Sequence, residues 1–233
     1  LGLSAVFVTA SLLVASAALG GLAGGSMKAQ QQRASTVAAV EHLLGGIPQS
    51  GIVLGDTHAP ITLQVFSDLE CPVCKEFALG AEARLIRRFV RTGKLKIETR
   101  SLETATRELR IFLEQQVAAL AAGRQDKLWY YDELFYREQG QEDSGYVNEG
   151  YLRGLARQVP GLNPASWRAA RNDPMLAAEL YSDAQRADRR NITGTPSFLI
   201  GRTGGHSHAL KSPSLERPAA FEAAIKRLLR AGR

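Results

Sequence analysis

Two cysteines three residues apart, Cys71 and Cys74, are the only thiols in this 233-residue chain, and they constrain its fold more than any other feature. They sit in Phe66-Ser67-Asp68-Leu69-Glu70-Cys71-Pro72-Val73-Cys74-Lys75-Glu76-Phe77. Residues 61–66 form a short apolar, partly β-branched run, the pattern of a buried strand. After the pair, Phe77, Ala78, Ala81, Leu85, Ile86 and Phe89 recur at helical spacing. Cys71 therefore belongs where a strand hands over to a helix. Unpaired N–H groups and the positive end of the dipole at a helix start favour an anion, so Cys71 should ionise below the free value of about 8.5 and act as nucleophile. Cys74 lies one turn on, in line with Phe77, Ala78 and Ala81 on the inward face, shielded and suited to resolving a mixed disulfide. Pro72 suits the first helical turn, where no N–H is needed.

Two duller readings compete with a redox pair. A purely structural Cys71–Cys74 disulfide would close too short a loop to restrain the unfolded chain much. Zinc held by Cys71, Cys74, His206 and His208 has acceptable ligand types but not a standard spacing.

The rest of the chain divides by pattern. Residues 1–27 carry no charge and are mainly Leu, Val, Ala, Phe, Ser and Gly. About 20 such residues can cross a bilayer. The segment reads as a membrane anchor, with a cleavable signal peptide and an Ala15-Ser16-Ala17 site as the second reading. Lys28 and Arg33 just after it argue mildly against export of the residues beyond them. Having no spare cysteine suits an oxidising compartment. Residues 26–33 read as a polar tether and residues 35–44 as a helix stopped by Gly45-Gly46, together a linker over residues 28–50. A loop at 46–51 and a short edge strand at 52–54 come next, and a half-buried strand covers 94–102. Gly80 inside the long helix that ends near Thr92 could mark a bend. Much of the +6 formal charge lies in Arg84, Arg87, Arg88 and Arg91, spaced as the solvated face of that helix rather than as a nucleic-acid patch.

From residue 104 to 190 the pattern is wholly helical, at 107–122, 127–138, 149–158, 165–172 and 174–190, broken at Pro160-Gly161, Asn163-Pro164 and Asp173-Pro174. One helix suffices to carry a chain from one strand to a parallel neighbour, so more than eighty residues is an insertion. Its aromatics, Trp129, Tyr130, Tyr131, Phe135, Tyr136 and Trp167, should form a second small core and a cap over the cysteines. A strand at 197–200, a loop at 201–205, a returning strand at 209–211 and a helix at 217–230 opened by Pro218 complete the chain.

The Cys-Pro-Val-Cys after a strand, together with Thr193-Gly194-Thr195-Pro196-Ser197-Phe198-Leu199-Ile200, resembles the thioredoxin superfamily. The helical insertion, with Ala118-Ala119-Leu120-Ala121-Ala122-Gly123 and Leu128-Trp129, resembles its DsbA branch over residues 47–230. That resemblance implies an α/β thioredoxin-like domain (51–103 and 191–233) interrupted by an all-helical domain (104–190). It further implies a cis Pro196 against the cysteines. A client groove is implied too, formed by Pro72, Val73, Thr195 and Pro196, where the Thr195 backbone pairs with an extended peptide. Disulfide exchange through Cys71 and Cys74 with exported proteins would need no cofactor. A quinone-linked membrane partner of the DsbB or vitamin-K-epoxide-reductase type would reoxidise the pair. Two departures stand out. Val73 replaces the histidine of the strongly oxidising Cys-Pro-His-Cys enzymes, implying a higher Cys71 pKa and a milder oxidant. Val65 stands where relatives commonly carry a buried acid, six residues before the first cysteine, so proton transfer at Cys74 must use water or another group. Asp68 and Glu70 are expected to face solvent, since facing Cys71 they would oppose its ionisation. A reductase on the same fold, and a client-holding module without redox chemistry, are the alternatives.

Overall fold

The computed structural model describes residues 14–211 and 214–231. Much of the expected anchor or signal, residues 1–13 of 1–27, lies outside the described residues. Residues 14–27 open helix α1 (Val14–Leu44). Among the described residues no helix is long and apolar enough to cross a membrane. α1 also replaces the expected tether, since Met27, Lys28, Ala29, three glutamines and Arg33 are all good helix formers with no proline among them. Its end packs into the core through Val40, Leu43 and Leu44, all buried.

A six-stranded mixed sheet comes after it, in the order β1-β2-β4-β3-β5-β6. β1 (Gln49–Ser50), in the expected loop, pairs antiparallel with β2 (Val53–Leu54), which is therefore not an edge strand. The centre is β3 (Ile61–Ser67), parallel to β4 (Leu95–Ser101) and antiparallel to β5 (Ser197–Arg202). The long insertion thus joins β4 to a strand of opposite direction. β6 (Ser207–Ala209) turns back along β5.

Between β3 and β4 the chain is helical from Pro72 to Val90 but not uniformly α: α2 (Pro72–Phe77) and α3 (Ala83–Leu85) alternate with π turns at Ala78–Glu82 and Ile86–Val90. The first π turn has a visible cause. The Ala81 N–H donates to Leu215 O at 2.8 Å, outside the helix. A Cβ on Gly80 would stand 2.7 Å from that same carbonyl oxygen, so glycine here allows a close approach of backbone to backbone.

The insertion comprises α4 (Leu109–Gly123), α5 (Leu128–Glu138), α6 (Glu149–Gln158), α7 (Pro164–Ala170) and α8 (Pro174–Asp188). Asn148, Asn163 and Asp173 cap α6, α7 and α8 through their side-chain oxygens, and Pro164 and Pro174 occupy first-turn positions. α9 (Ala219–Arg230) closes the fold. The insert's aromatics do not form a core of their own. Trp129, Tyr131, Phe135, Tyr136 and Trp167 belong to one apolar cluster with Leu63, Phe77, Ile97 and Phe221. α5 packs against both α1 and the first π turn, so the two parts bury their apolar faces against each other. The arginine stripe faces outward as expected, yet Arg88 grips Glu222 at 2.8 Å and Arg91 donates to Leu43 O and Gly45 O, stapling α9 and α1 to this helix.

Candidate active site

β3 ends at Ser67 and α2 begins at Pro72, so Cys71 becomes the helix N-cap, with extended backbone (φ −67°, ψ 118°). Sγ lies 3.7 Å from Thr195 O, and the Thr195–Pro196 peptide is cis. Both thiols are free and buried, Cys71 at 5% exposure and Cys74 at 1%. Pro72 and Val73 between them are exposed, and Val73 lines an open groove of about 770 Å³ with Thr195, Pro196 and Leu210. The six expected site residues thus converge on one spot.

The two sulfurs have opposite acidities. The Cys74 thiol, hydrogen-bonding to the Cys71 sulfur, lowers Cys71 from 9.0 to about 6 against the opposing effect of burial. Thr195 and the backbone N–H groups of Cys74 and Val73 add to the lowering, as a helix start should. Burial, then the neighbouring Cys71, pushes Cys74 well above its ordinary value. Val73 therefore acts on Cys71 through its backbone N–H, its side chain offering neither a donor nor a charge.

Asp68 and Glu70 do not face solvent: they are 0% and 2% exposed. Asp68 Oδ2 accepts from the N–H groups of Thr104, Ala105 and Thr106 at 2.9–3.1 Å, and Oδ1 from Glu70 N, Thr106 Oγ1 and Gln115 Nε2. A carboxylate with this many donors is satisfied without water. It pins the β4–α4 connection beside the site, and Thr104 of that connection hydrogen-bonds Thr195 through the two hydroxyls. Burial, then Asp143 nearby, raises Glu70 above the usual carboxylate range.

Two further supports were not legible in sequence. Gln139, just past α5, donates from Nε2 to Leu69 O at 2.7 Å and to Cys71 O at 3.1 Å. Below α2, the rings of Phe77, Phe198 and Phe221 meet at centroid distances of 4.6 to 5.4 Å, fixing the helix to β5 and α9. Only helical periodicity marked Phe77, and nothing local marks a glutamine as a clamp. Among the described residues no group of three or more His, Cys, Asp and Glu is placed to hold a metal ion, so His206 and His208 complete no zinc site with the cysteines.

Residues 48–225 match the family model described as Thioredoxin. The chain is 24% identical over 153 residues to disulfide bond formation protein D of Bacillus subtilis (strain 168), covering 64% of this chain and 66% of that protein, just under two thirds. It is 28% identical over 178 residues, 75% of the chain, to the Na(+)/H(+) antiporter NhaA 1 of Salinispora arenicola (strain CNS-205), of which it spans a quarter, 25%. Among solved structures, oxidised BdbD from Bacillus subtilis superposes with a TM-score of 0.65 at 20% identity, covering 78% of this chain and 96% of that one. Wolbachia pipientis α-DsbA1 gives 0.64 at 18% identity, with 82% and 96% covered. Chlamydia trachomatis DsbA gives 0.63 at 18% identity, with 77% and 92% covered. At these identities the structural likeness is one of fold.

Proposed function

The chain belongs to the thioredoxin family, and from that membership we propose that it is a DsbA-type thiol–disulfide oxidoreductase working outside the cytoplasm in the oxidising direction. The observation that carries this reading is the asymmetry of the pair. Cys71 is the ionisable sulfur, 3.7 Å from Thr195 of the groove wall, and Cys74 is a protonated one behind it. In the oxidised protein a client thiolate attacks Cys71 Sγ, the Cys71–Cys74 bond breaks, and Cys74 leaves. The client's second thiolate then attacks its own sulfur in the mixed disulfide and expels Cys71 as a thiolate. A Cys71 pKa near 6 makes that sulfur a good leaving group at neutral pH and stabilises the reduced form, which favours oxidation of clients.

The groove beside Val73 and the cis Thr195–Pro196 peptide suits an extended peptide pairing with the Thr195 backbone. The clients are reduced exported proteins. The Cys71–Cys74 disulfide is the redox group and no other cofactor is required. A quinone-linked membrane protein of the DsbB or vitamin-K-epoxide-reductase type restores it, and residues 1–27 keep the enzyme at the membrane.

The test is equilibration with glutathione buffers, reading the fraction of Cys71–Cys74 disulfide. The expected potential lies nearer DsbA's, about −120 mV, than thioredoxin's, about −270 mV. A value at the thioredoxin end would make the protein a reductase. Client binding that survives Cys71→Ala, with no exchange by the unaltered protein, would make it a holding module.

A further inference from the structure

Beside Cys74 lies a cavity of about 20 Å³, room for one water molecule, lined by Cys74, Ser67, Glu82, Asp132, Glu133 and Tyr136 and meeting the groove wall only at Pro196. β3 contributes Val65 to its wall and no acid. The acids come instead from the first π turn and from α5: Glu82, Asp132 and Glu133 are 6%, 8% and 3% exposed. Glu133 has a cation, Arg137, at 3.2 Å. Among the described residues Asp132 has none, and its Oδ1, like Glu133 Oε1, has no hydrogen-bond partner there. Orphaned buried oxygens are costly, and two beside a buried thiol call for an explanation in chemistry.

We propose that Asp132 is the proton carrier for Cys74 Sγ, exchanging its proton across this cavity. The proposal rests on the exchange reaction above. When a client thiolate attacks Cys71, the Cys71–Cys74 bond breaks and its electron pair goes to Cys74 Sγ. The proton of the Asp132 carboxyl passes to that sulfur, leaving a thiol and a carboxylate. In reoxidation the carboxylate takes the Cys74 proton back as the thiolate re-forms the disulfide and expels the partner's sulfur. Asp132 replaces, from the helical insert, the acid that β3 lacks.

The electrostatics agree. Burial, then Glu133, raises Asp132 to about 8. Burial raises Glu133 to about 7 against the pull of Arg137 and Arg87. Burial, then Glu133 and Asp132, raises Glu82 well above the usual range. The other titratable groups around the cavity are Cys74 with Cys71, and Tyr136, whose phenol burial holds neutral.

The experiment tracks single-turnover closure of the Cys71–glutathione mixed disulfide by Cys74, as a function of pH, in the unaltered protein and in Asp132→Asn. The unaltered protein should show an inflection near pH 8. Asp132→Asn should lose it and close about 10²-fold more slowly at pH 7. Superimposable profiles would overturn the proton carrier and leave the oxidoreductase reading standing. Failure of the unaltered protein to form or close the adduct would overturn both. Should the variant not fold, the unaltered protein with ¹³C-labelled aspartate decides: its reduced-minus-oxidised infrared difference spectrum should contain an isotope-shifted carboxylic acid band. A spectrum without one would reject the carrier.

Discussion

At the scale of single residues, the proposed function rests on two sulfurs that are unlike. The first consequence is measurable in the reduced protein. Alkylation of Cys71 by iodoacetamide should show an inflection near pH 6, while Cys74 stays unmodified until the protein is unfolded. An inflection near 9, or equal labelling of both thiols, would remove the basis of the leaving-group argument. Much of this is legible in the sequence. The strand-to-helix handover places Cys71 at a helix start, and helical spacing turns Cys74 inward. The burial of Asp68 is not, because along the chain its charge can be weighed only against Cys71. Its six donors come mostly from residues 104–106 and 115, more than thirty positions away, and no local pattern announces them. Asp132 and Glu133 are hidden for a related reason. Read as part of a helix face they are ordinary, and only the packing of α5 onto the π turn brings them to Cys74.

At the scale of elements, the helix behind the cysteines shows how tertiary contact overrides a regular repeat. The sequence reads as one α-helix to Thr92, and the expected bend at Gly80 is close in place but misses the cause. The π turn opens where Ala81 N–H leaves the helix for Leu215 O, and Gly80 supplies the clearance. Replacing Gly80 by Ala gains about 1 kcal/mol of helix propensity but drives a Cβ against rigid backbone at 2.7 Å and 3.0 Å. Such overpacking typically costs about 1–3 kcal/mol. The expected net result is a lower denaturant midpoint, with a loss of at most about 2 kcal/mol in stability. An unchanged or higher midpoint would show that the Leu215 segment moves aside freely. The helices of the insert are legible to within a few residues because Asn148, Asn163-Pro164 and Asp173-Pro174 are strong local start signals. β1 and the continuous α1 are not. A two-residue strand has no period, and a polar run of helix formers looks the same in a tether as in a helix.

At the scale of the whole molecule, the shared core and the buried acids set how stability responds to pH. Glu82, Asp132 and Glu133 have folded-state pKa values above their ordinary ones, so between about pH 4 and 8 the native state binds more protons than the unfolded chain. Stability should therefore fall as pH rises through that window. Cys71 works the other way. Lowered from 9.0 to about 6, it contributes stability that is present above pH 9 and lost as pH falls through 6, and only when reduced. Denaturant unfolding of both redox forms at pH 5, 7 and 8.5 should give a declining curve for the oxidised protein, with the reduced form gaining on it above pH 6. Parallel curves would contradict the acidity assigned to Cys71. The insert itself is plain in sequence from its length and aromatics. Its fusion with the sheet's core is not, because a pattern along the chain says which residues are buried and not what they are buried against.

One small contact links these scales. The Gln139 amide holds the carbonyls of Leu69 and Cys71, so the roof of helices and the floor that carries the reactive sulfur are coupled like two jaws on a shared pin. On the proposed exchange chemistry, loosening that roof should blunt Cys71 before it melts the protein.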